Sequence, residues 1–164
     1  MKKWKLISLM LITAMGLSAC GGPAAPDVLE QVEAVPKPTY TVGSEVILKA
    51  SHQPGMQGAK AKIVGAYDTT AYSVTYTPTT GEPPVKGYKW IIQEEIKNYI
   101  KQPYNPGTEV VLKADHVKGM LDASAKLDTA NTMTVYMIDY TPTTGEGEVK
   151  NYKWVTEDEI SPVK

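Results

Sequence analysis

Most of this sequence consists of two tandem copies of one unit. Residues Tyr40–Ile96 align with Tyr104–Ile160 at a constant offset of 64 positions without a gap, and 30 of the 57 aligned pairs are identical. The period is longer than that of most solenoid repeats, and two copies are too few for a stacked array. We therefore expect two tandem domains, at residues 40–96 and 104–164, joined by a linker at residues 97–103.

Each copy has the pattern of a small β domain. In copy one, alternating apolar residues predict a first strand at Glu45–Ala50, followed by strands at residues 59–66 and 70–76. A Thr-Pro-Thr-Thr-Gly turn, a fourth strand around Tyr88–Trp90 and a short helical turn complete the copy. In copy two this last turn has capping-box spacing between Thr156 and Glu159. The fold class is therefore mainly all-β, with two tandem small SH3-like β-barrels that end in short helical turns.

Comparison of the copies separates the two faces of the third strand. One face is nearly invariant, which indicates core; it carries Thr70, Tyr72, Val74 and Tyr76, or Thr134, Tyr136, Ile138 and Tyr140. The opposite face is polar in copy one but carries Met133 and Met137 in copy two. We expect these two methionines at a surface or between the domains, because exposed methionine is unfavourable without a use.

The N-terminus has the features of a lipoprotein signal. Three lysines precede an apolar run that is too short to span a bilayer stably, and the run ends in Leu-Ser-Ala-Cys. This pattern predicts a signal peptide at residues 1–19 and a lipidated Cys20 that holds the protein on a membrane surface. A Pro-rich tether at residues 20–39 would follow. The alternative is a plain signal peptide with a chance cysteine.

The charge and the cysteine content exclude several functions. Removal of Lys2, Lys3 and Lys5 leaves 14 lysines against 18 acidic residues and no arginine, a net side-chain charge of −4. Nucleic-acid binding is therefore not expected. Cys20 is the only cysteine, so there is no cysteine nucleophile once it is lipidated. Since the sequence also lacks a Ser/His/Asp arrangement and a phosphate-binding glycine loop, we expect no enzyme, and we expect a monomer.

Both histidines of the chain occur in the same frame, His-x-x-Gly-Met. The segments are Ser51–Met56 and Asp115–Met120, and each contains a predicted turn between the histidine and the methionine. Imidazole with thioether suits copper, and Cu(I) in particular, better than it suits Ca²⁺ or Mg²⁺. The predicted metal ligands are His52, Met56, His116, Met120, Asp115, Met133 and Met137. The structural alternative is a packed turn that is repeated only because the domain was duplicated.

The repeated motifs resemble a known family. Two copies of VxLKAxHxxGMxxAxAK and YTPTTGExxVKxYKW after a lipobox are similar to the YdhK/CopL-like lipoproteins of Gram-positive bacteria, which contain a tandem domain long catalogued as of unknown function. The resemblance implies copper binding at the outer face of the cytoplasmic membrane, alongside a copper-exporting P-type ATPase, for copper tolerance. In that family a histidine often precedes Lys-Trp, whereas this chain has Tyr88 and Tyr152 there.

The alternative function is a cell-wall-binding SH3-like module without a metal. In that hypothesis Tyr72, Tyr76, Tyr88 and Trp90 would line a groove for wall peptides. The simpler interpretation of these aromatic residues is that they form core. Of the two predicted histidine sites, we expect the one around His116 to bind metal better, because copy two adds Asp115, Met133 and Met137.

Overall fold

The structure is a computed structural model that describes residue 29 and residues 31–163. The predicted signal peptide, Cys20 and the first part of the predicted tether lie outside these residues. Within the described part, there is no α-helix and no helix long and apolar enough to cross a membrane. The predicted all-β class is therefore confirmed.

The described residues form nine strands and two short 3-10 helices. The strands are β1 (Glu33–Ala34), β2 (Glu45–Leu48), β3 (Lys60–Thr77), β4 (Val85–Ile92), β5 (Glu109–Val111), β6 (Ser124–Leu127), β7 (Asn131–Tyr140), β8 (Val149–Thr156) and β9 (Ile160–Pro162). The 3-10 helices, at Gln93–Glu95 and Glu157–Glu159, occupy the places of the predicted helical turns. All nine strands belong to one sheet.

Strand β3 is the central element of the molecule. It replaces the two strands predicted at residues 59–66 and 70–76, because residues 67–69 continue in extended conformation. In copy two the same stretch is divided into β6 and β7. The division falls at Asp128 and Thr129, whose amides both donate to the Ser73 carbonyl. At about 3.3 Å per residue, an 18-residue strand spans roughly 60 Å, so β3 carries copy one across the whole molecule.

An approximate two-fold axis relates the copies. Strand β3 pairs antiparallel with β7 from Ala61↔Tyr140 to Ala71↔Asn131, and then with β6. Within this ladder Thr69 lies opposite Met133, which is its own equivalent at the offset of 64. A residue can face its own equivalent only on the symmetry axis. The repeats are therefore arranged as a pseudo-symmetric pair around the middle of β3.

Two apolar cores lie on either side of this axis, and each is formed by residues from one half of each copy. The first lobe, residues 40–66 with 135–162, has a core made of Val46, Leu48, Ala50, Met56, Ala59, Ala61, Ile63, Ala66, Tyr136, Ile138, Tyr140, Val155 and Ile160. The second lobe, residues 70–127, has a core made of Tyr72, Val74, Tyr76, Ile91, Ile96, Leu112, Ala114, Met120, Ala123, Ala125 and Leu127. On the faces predicted to be core on the third strand, every residue except Thr134 is buried.

The packing units differ from the predicted domains. We expected each barrel to form from one copy, at residues 40–96 and 104–164. Instead, the first lobe has the strand order β8-β7-β3-β2-β9 with strands from both copies, and the second lobe straddles the copy boundary. The physical reason is β3: because no turn interrupts it, the β2 and β4 ends of copy one stay far apart, and each end completes its sheet with strands of copy two.

A third apolar cluster fills the space between the lobes. It contains Val32, Ala71, Trp90, Ile92, Val135, Met137 and Trp154, with Met133 partly buried against it. The two methionines of β7 therefore lie between the lobes. Val32 belongs to this cluster and β1 pairs with β3, so residues predicted as tether are part of the fold. The prediction of a tether over all of residues 20–39 is therefore wrong for this stretch.

Candidate functional site

The two repeated motifs contact each other across the copies. The Thr143 amide of the second Thr-Pro-Thr-Thr-Gly turn donates to the Gly55 carbonyl at 2.8 Å, and Thr79 donates to Gly119 at 2.9 Å. Gly55 has φ +72°, and a Cβ there would lie 2.6 Å from the hydroxyl of Thr144. Glycine is therefore required by both conformation and space. Each His-x-x-Gly-Met turn is held in place by the other copy.

Four side chains converge at the first histidine, and we call them the His52 cluster: His52, Glu159, Tyr152 and Trp90. Imidazole Nε2 lies 2.8 Å from Glu159 Oε1, and Nδ1 lies 3.3 Å from the Tyr152 hydroxyl. The second carboxylate oxygen accepts hydrogen bonds from Trp90 Nε1 at 2.9 Å and from the Thr156 amide at 3.0 Å. Trp90 comes from the second lobe, whereas the other three side chains belong to the first.

The His116 cluster repeats this arrangement with His116, Glu95, Tyr88 and Trp154. Nε2 of His116 lies 2.7 Å from Glu95 Oε1, and Nδ1 lies 3.3 Å from the Tyr88 hydroxyl. Trp154 Nε1 donates to Glu95 Oε2 at 3.0 Å. The site is deeply placed, since the Glu95 side chain is 2 % exposed and the His116 side chain 9 %.

The charges of the cluster assign the imidazole tautomer. Burial alone would raise the pKa of Glu159, but hydrogen bonds from His52, Trp90 and the Thr156 backbone outweigh it and lower the pKa to about 2. The carboxylate is thus ionised at neutral pH, and Nε2–H donates to it. Burial, together with Tyr140 and Glu159, raises the pKa of Tyr152 far above its ordinary value, so its hydroxyl stays protonated and donates to Nδ1. Equivalent geometry gives His116 the same tautomer.

Open cavities lie in front of both clusters. The larger, about 760 Å³, is lined by His116, Tyr88, Tyr152, Asp115 and Glu146 among others. A cavity of about 630 Å³ adjoins His52 and Glu159, and Tyr88 lines this cavity as well. Each imidazole therefore borders an open space, and Tyr88 is shared between the two spaces.

Comparisons with known proteins identify the family. A family model described as a protein of unknown function, DUF1541, matches residues 42–93 and 106–157. The chain belongs to the DUF1541 family. Its two matched segments fall within the two sequence copies.

Comparisons with one relative and with two of its solved structures show how much of the chain the similarity covers. The uncharacterized protein YdhK of Bacillus subtilis is 46 % identical over 182 aligned positions, which cover 97 % of this chain and 89 % of the relative. A crystal structure of YdhK, a DUF1541 family protein from the same organism, superimposes with a TM-score of 0.80 at 53 % identity, covering 82 % of this chain and 91 % of that one. A solution structure of the YdhK C-terminal domain gives a TM-score of 0.71 at 56 % identity and covers 74 % and 92 % of the two chains.

In this DUF1541 protein the predicted ligands do not all lie together. The two histidines contact Glu and Tyr side chains, whereas Met56 and Met120 are fully buried within the apolar cores. Asp115 is exposed and lines the His116 cavity. Met133 and Met137 lie in the cluster between the lobes. Among the described residues, no group of three or more His, Cys, Asp or Glu side chains could hold a metal ion.

Sequence reasoning did not assign the carboxylates, the tyrosines or the tryptophans to the site. Their signal was present, because each of the six is identical between the two copies of the DUF1541 unit. The copy alignment could not show that Glu159 lies beside His52, 107 positions away. The groove required by the wall-binding alternative receives only partial support: Tyr72, Tyr76 and Trp90 are buried, and of the four aromatic residues Tyr76 and Tyr88 line a cavity.

Proposed function

We propose that this protein is a membrane-anchored lipoprotein on the outer face of the cytoplasmic membrane that binds copper as Cu(I). It would buffer or sequester the metal for copper tolerance, beside a copper-exporting P-type ATPase. One observation carries the proposal. Each histidine is fixed by a carboxylate through Nε2, has a tyrosine hydroxyl 3.3 Å from Nδ1 and lines an open cavity.

This orientation is the one that metal-binding histidines use. A ligating imidazole nearly always donates its other N–H to a carboxylate or a carbonyl, which fixes the ring and raises its basicity. Glu159 and Glu95 occupy that supporting position. The Nδ1 lone pair of each ring is consequently available once the tyrosine hydroxyl 3.3 Å away is displaced.

The position of the two tyrosines also supports the proposal. Tyr88 and Tyr152 stand where the YdhK/CopL-like pattern often has a histidine, and both hydroxyls face the Nδ1 atom of a histidine from the other copy. A histidine at that position would place a second imidazole against the first. Tyrosine leaves an oxygen in its place, so this chain is expected to bind copper more weakly than a relative with two imidazoles.

The residues present fit copper in part. Imidazole nitrogen is a good ligand for Cu(I), and Nδ1 of each histidine supplies it. The thioethers of Met56 and Met120 are the predicted second donors, but both lie inside apolar cores. Their participation requires the His-x-x-Gly-Met turn to open. All buried side-chain nitrogens and oxygens in the described part have a partner, so an ion must replace the tyrosine hydroxyl at Nδ1.

The charges around the cavities favour a singly charged ion and distinguish the two sites. Each cavity is lined by three lysines, which repel Cu⁺ less than a divalent ion. Around His116 they are balanced by Glu95, Asp115 and Glu146, whereas Glu159 is the sole acidic side chain lining the His52 cavity. We therefore expect the His116 site to bind copper more tightly.

The test is an anaerobic Cu(I) titration against a competing chelator, with the unlipidated chain from residue 21 onward. This chain retains every described residue. We expect two ions per chain, with the tighter one at His116. Absence of Cu(I) binding would refute the copper proposal for this protein.

A further inference from the structure

The two histidine clusters are connected through the strands that build them. Strand β4 carries Tyr88, which contacts His116, and two residues later Trp90, which donates to Glu159 beside His52. Strand β8 carries Tyr152 and Trp154 in the reciprocal arrangement. A register shift lies between Tyr88 and Ile91, so Tyr88 packs against the second-lobe core while Trp90 belongs to the cluster between the lobes. Each strand therefore contacts the imidazole of one cluster and the carboxylate of the other.

We infer that the two sites are negatively coupled through Trp90 and Trp154, so that an ion at one imidazole weakens binding at the other by about fivefold or more. The inference rests on the proposed function, because it concerns the regulation of the same copper sites. It assigns Trp90 and Trp154 as positioning residues that hold the carboxylates of Glu159 and Glu95.

Strand β4 can transmit a displacement at its Tyr88 end. An ion at His116 Nδ1 must move the Tyr88 hydroxyl, and the pairing of Tyr88 with Val74 is flanked on both sides by register shifts. This part of the strand is thus less tightly held by its ladder than Ile91 and Ile92, which pair in register with β3. Trp90 lies between the two parts, so a shift at Tyr88 reaches the tryptophan.

The packing around the tryptophans converts that shift into a lost contact. Trp90 and Trp154 belong to the apolar cluster between the lobes, where Trp154 is fully buried. Close-packed interiors have little free volume, so an indole cannot move without changing its single hydrogen bond. Loss of the Trp90 donor loosens Glu159, which fixes the His52 ring. A loosened supporting carboxylate lowers metal affinity, and binding linkage makes the effect reciprocal.

A thermodynamic cycle measures the coupling. His116→Gln and His52→Gln each leave one site, and their two single-site association constants define the product expected for independent sites. We expect the product of the two stepwise constants of the wild-type chain to be at least fivefold smaller. The same comparison is made in the Trp90→Phe/Trp154→Phe background, with histidine variants made in that background. There the product of the stepwise constants should agree within twofold with the product of the single-site constants. Val135→Ala, which alters the same cluster without touching a carboxylate, should leave the wild-type ratio unchanged.

If the product of the two wild-type stepwise constants equals or exceeds the product of the two single-site constants, the inference is overturned while copper binding remains. Failure of every variant and of the wild type to bind Cu(I) would instead refute the proposed function. The connection between the two clusters can also be measured without metal, from the imidazole ¹⁵N chemical shifts. Trp90→Phe should move the signals of both His52 and His116, and a change confined to His52 would contradict the coupling.

Discussion

The double variant His52→Gln/His116→Gln is expected to lose both copper sites, with each ion bound at least a hundredfold more weakly, or about 2.8 kcal/mol per site. Glutamine retains an N–H that can reach the carboxylate of Glu159 or Glu95, but it offers no imidazole lone pair to the cavity. The fold should therefore survive while the ligand is removed. The measurement is the Cu(I) competition titration, accompanied by a thermal unfolding curve that checks the structure.

The matched control is Met56→Leu/Met120→Leu. Leucine conserves the buried volume, and such exchanges usually cost below about 1.5 kcal/mol of stability. If the thioethers remain in the core, this control binds copper like the parent; if the turns open to ligate the ion, it binds more weakly. Unchanged copper affinity in the histidine variant would refute the assignment of the site to the imidazoles, whatever the control does.

A fragment of residues 68–130 is expected to fold as a monomer and to unfold cooperatively. A fragment of residues 36–98, which has the same length, is expected not to fold as a monomer. The first fragment contains the whole second-lobe core, from Tyr72 to Leu127. The second fragment is one sequence copy and contains only half of each core. Since domain stability is about 5–15 kcal/mol, loss of half of a core leaves a monomeric copy unfolded. Circular dichroism in urea and sedimentation equilibrium distinguish the two.

The copy fragment has one way to recover a core, which is to pair with a second copy of itself around the pseudo-symmetry axis. Any folded population of residues 36–98 should therefore sediment as a dimer. A cooperative, concentration-independent transition of this fragment as a monomer would contradict the description of the lobes. So would a fragment of residues 68–130 that shows no transition in any concentration of urea.

Much of the fold could be predicted from the sequence, because strand patterns are local. The repeat, the β class, the core face through Tyr72 and Tyr136 and the 3-10 turns all depend on the spacing of neighbouring residues. The lobes could not be predicted in this way. Residues 67–69 read as a break between two strands, and the pairing of β3 with β7 that keeps them extended is a contact between distant parts of the chain.

The candidate site was predicted in part for the same reason. The shared frame around His52 and His116 identified both histidines, and the structure places each beside an open cavity. Methionine at the fifth position suggested a ligand, but its side chain points into the core, where an apolar thioether packs well. Glu95 and Glu159 act on a histidine of the other copy, so no spacing within one copy could reveal their role.

The most direct test of the account is the ¹⁵N spectrum of the imidazoles before and after anaerobic addition of two equivalents of Cu(I), which is diamagnetic. The account predicts that both rings carry their proton on Nε2 in the metal-free chain. On addition of copper the Nδ1 signals of His52 and His116 should shift, and the Nε2 protons should remain on the hydrogen bonds to Glu159 and Glu95. Loss of the Nε2 protons, or no change at either nitrogen, would contradict it.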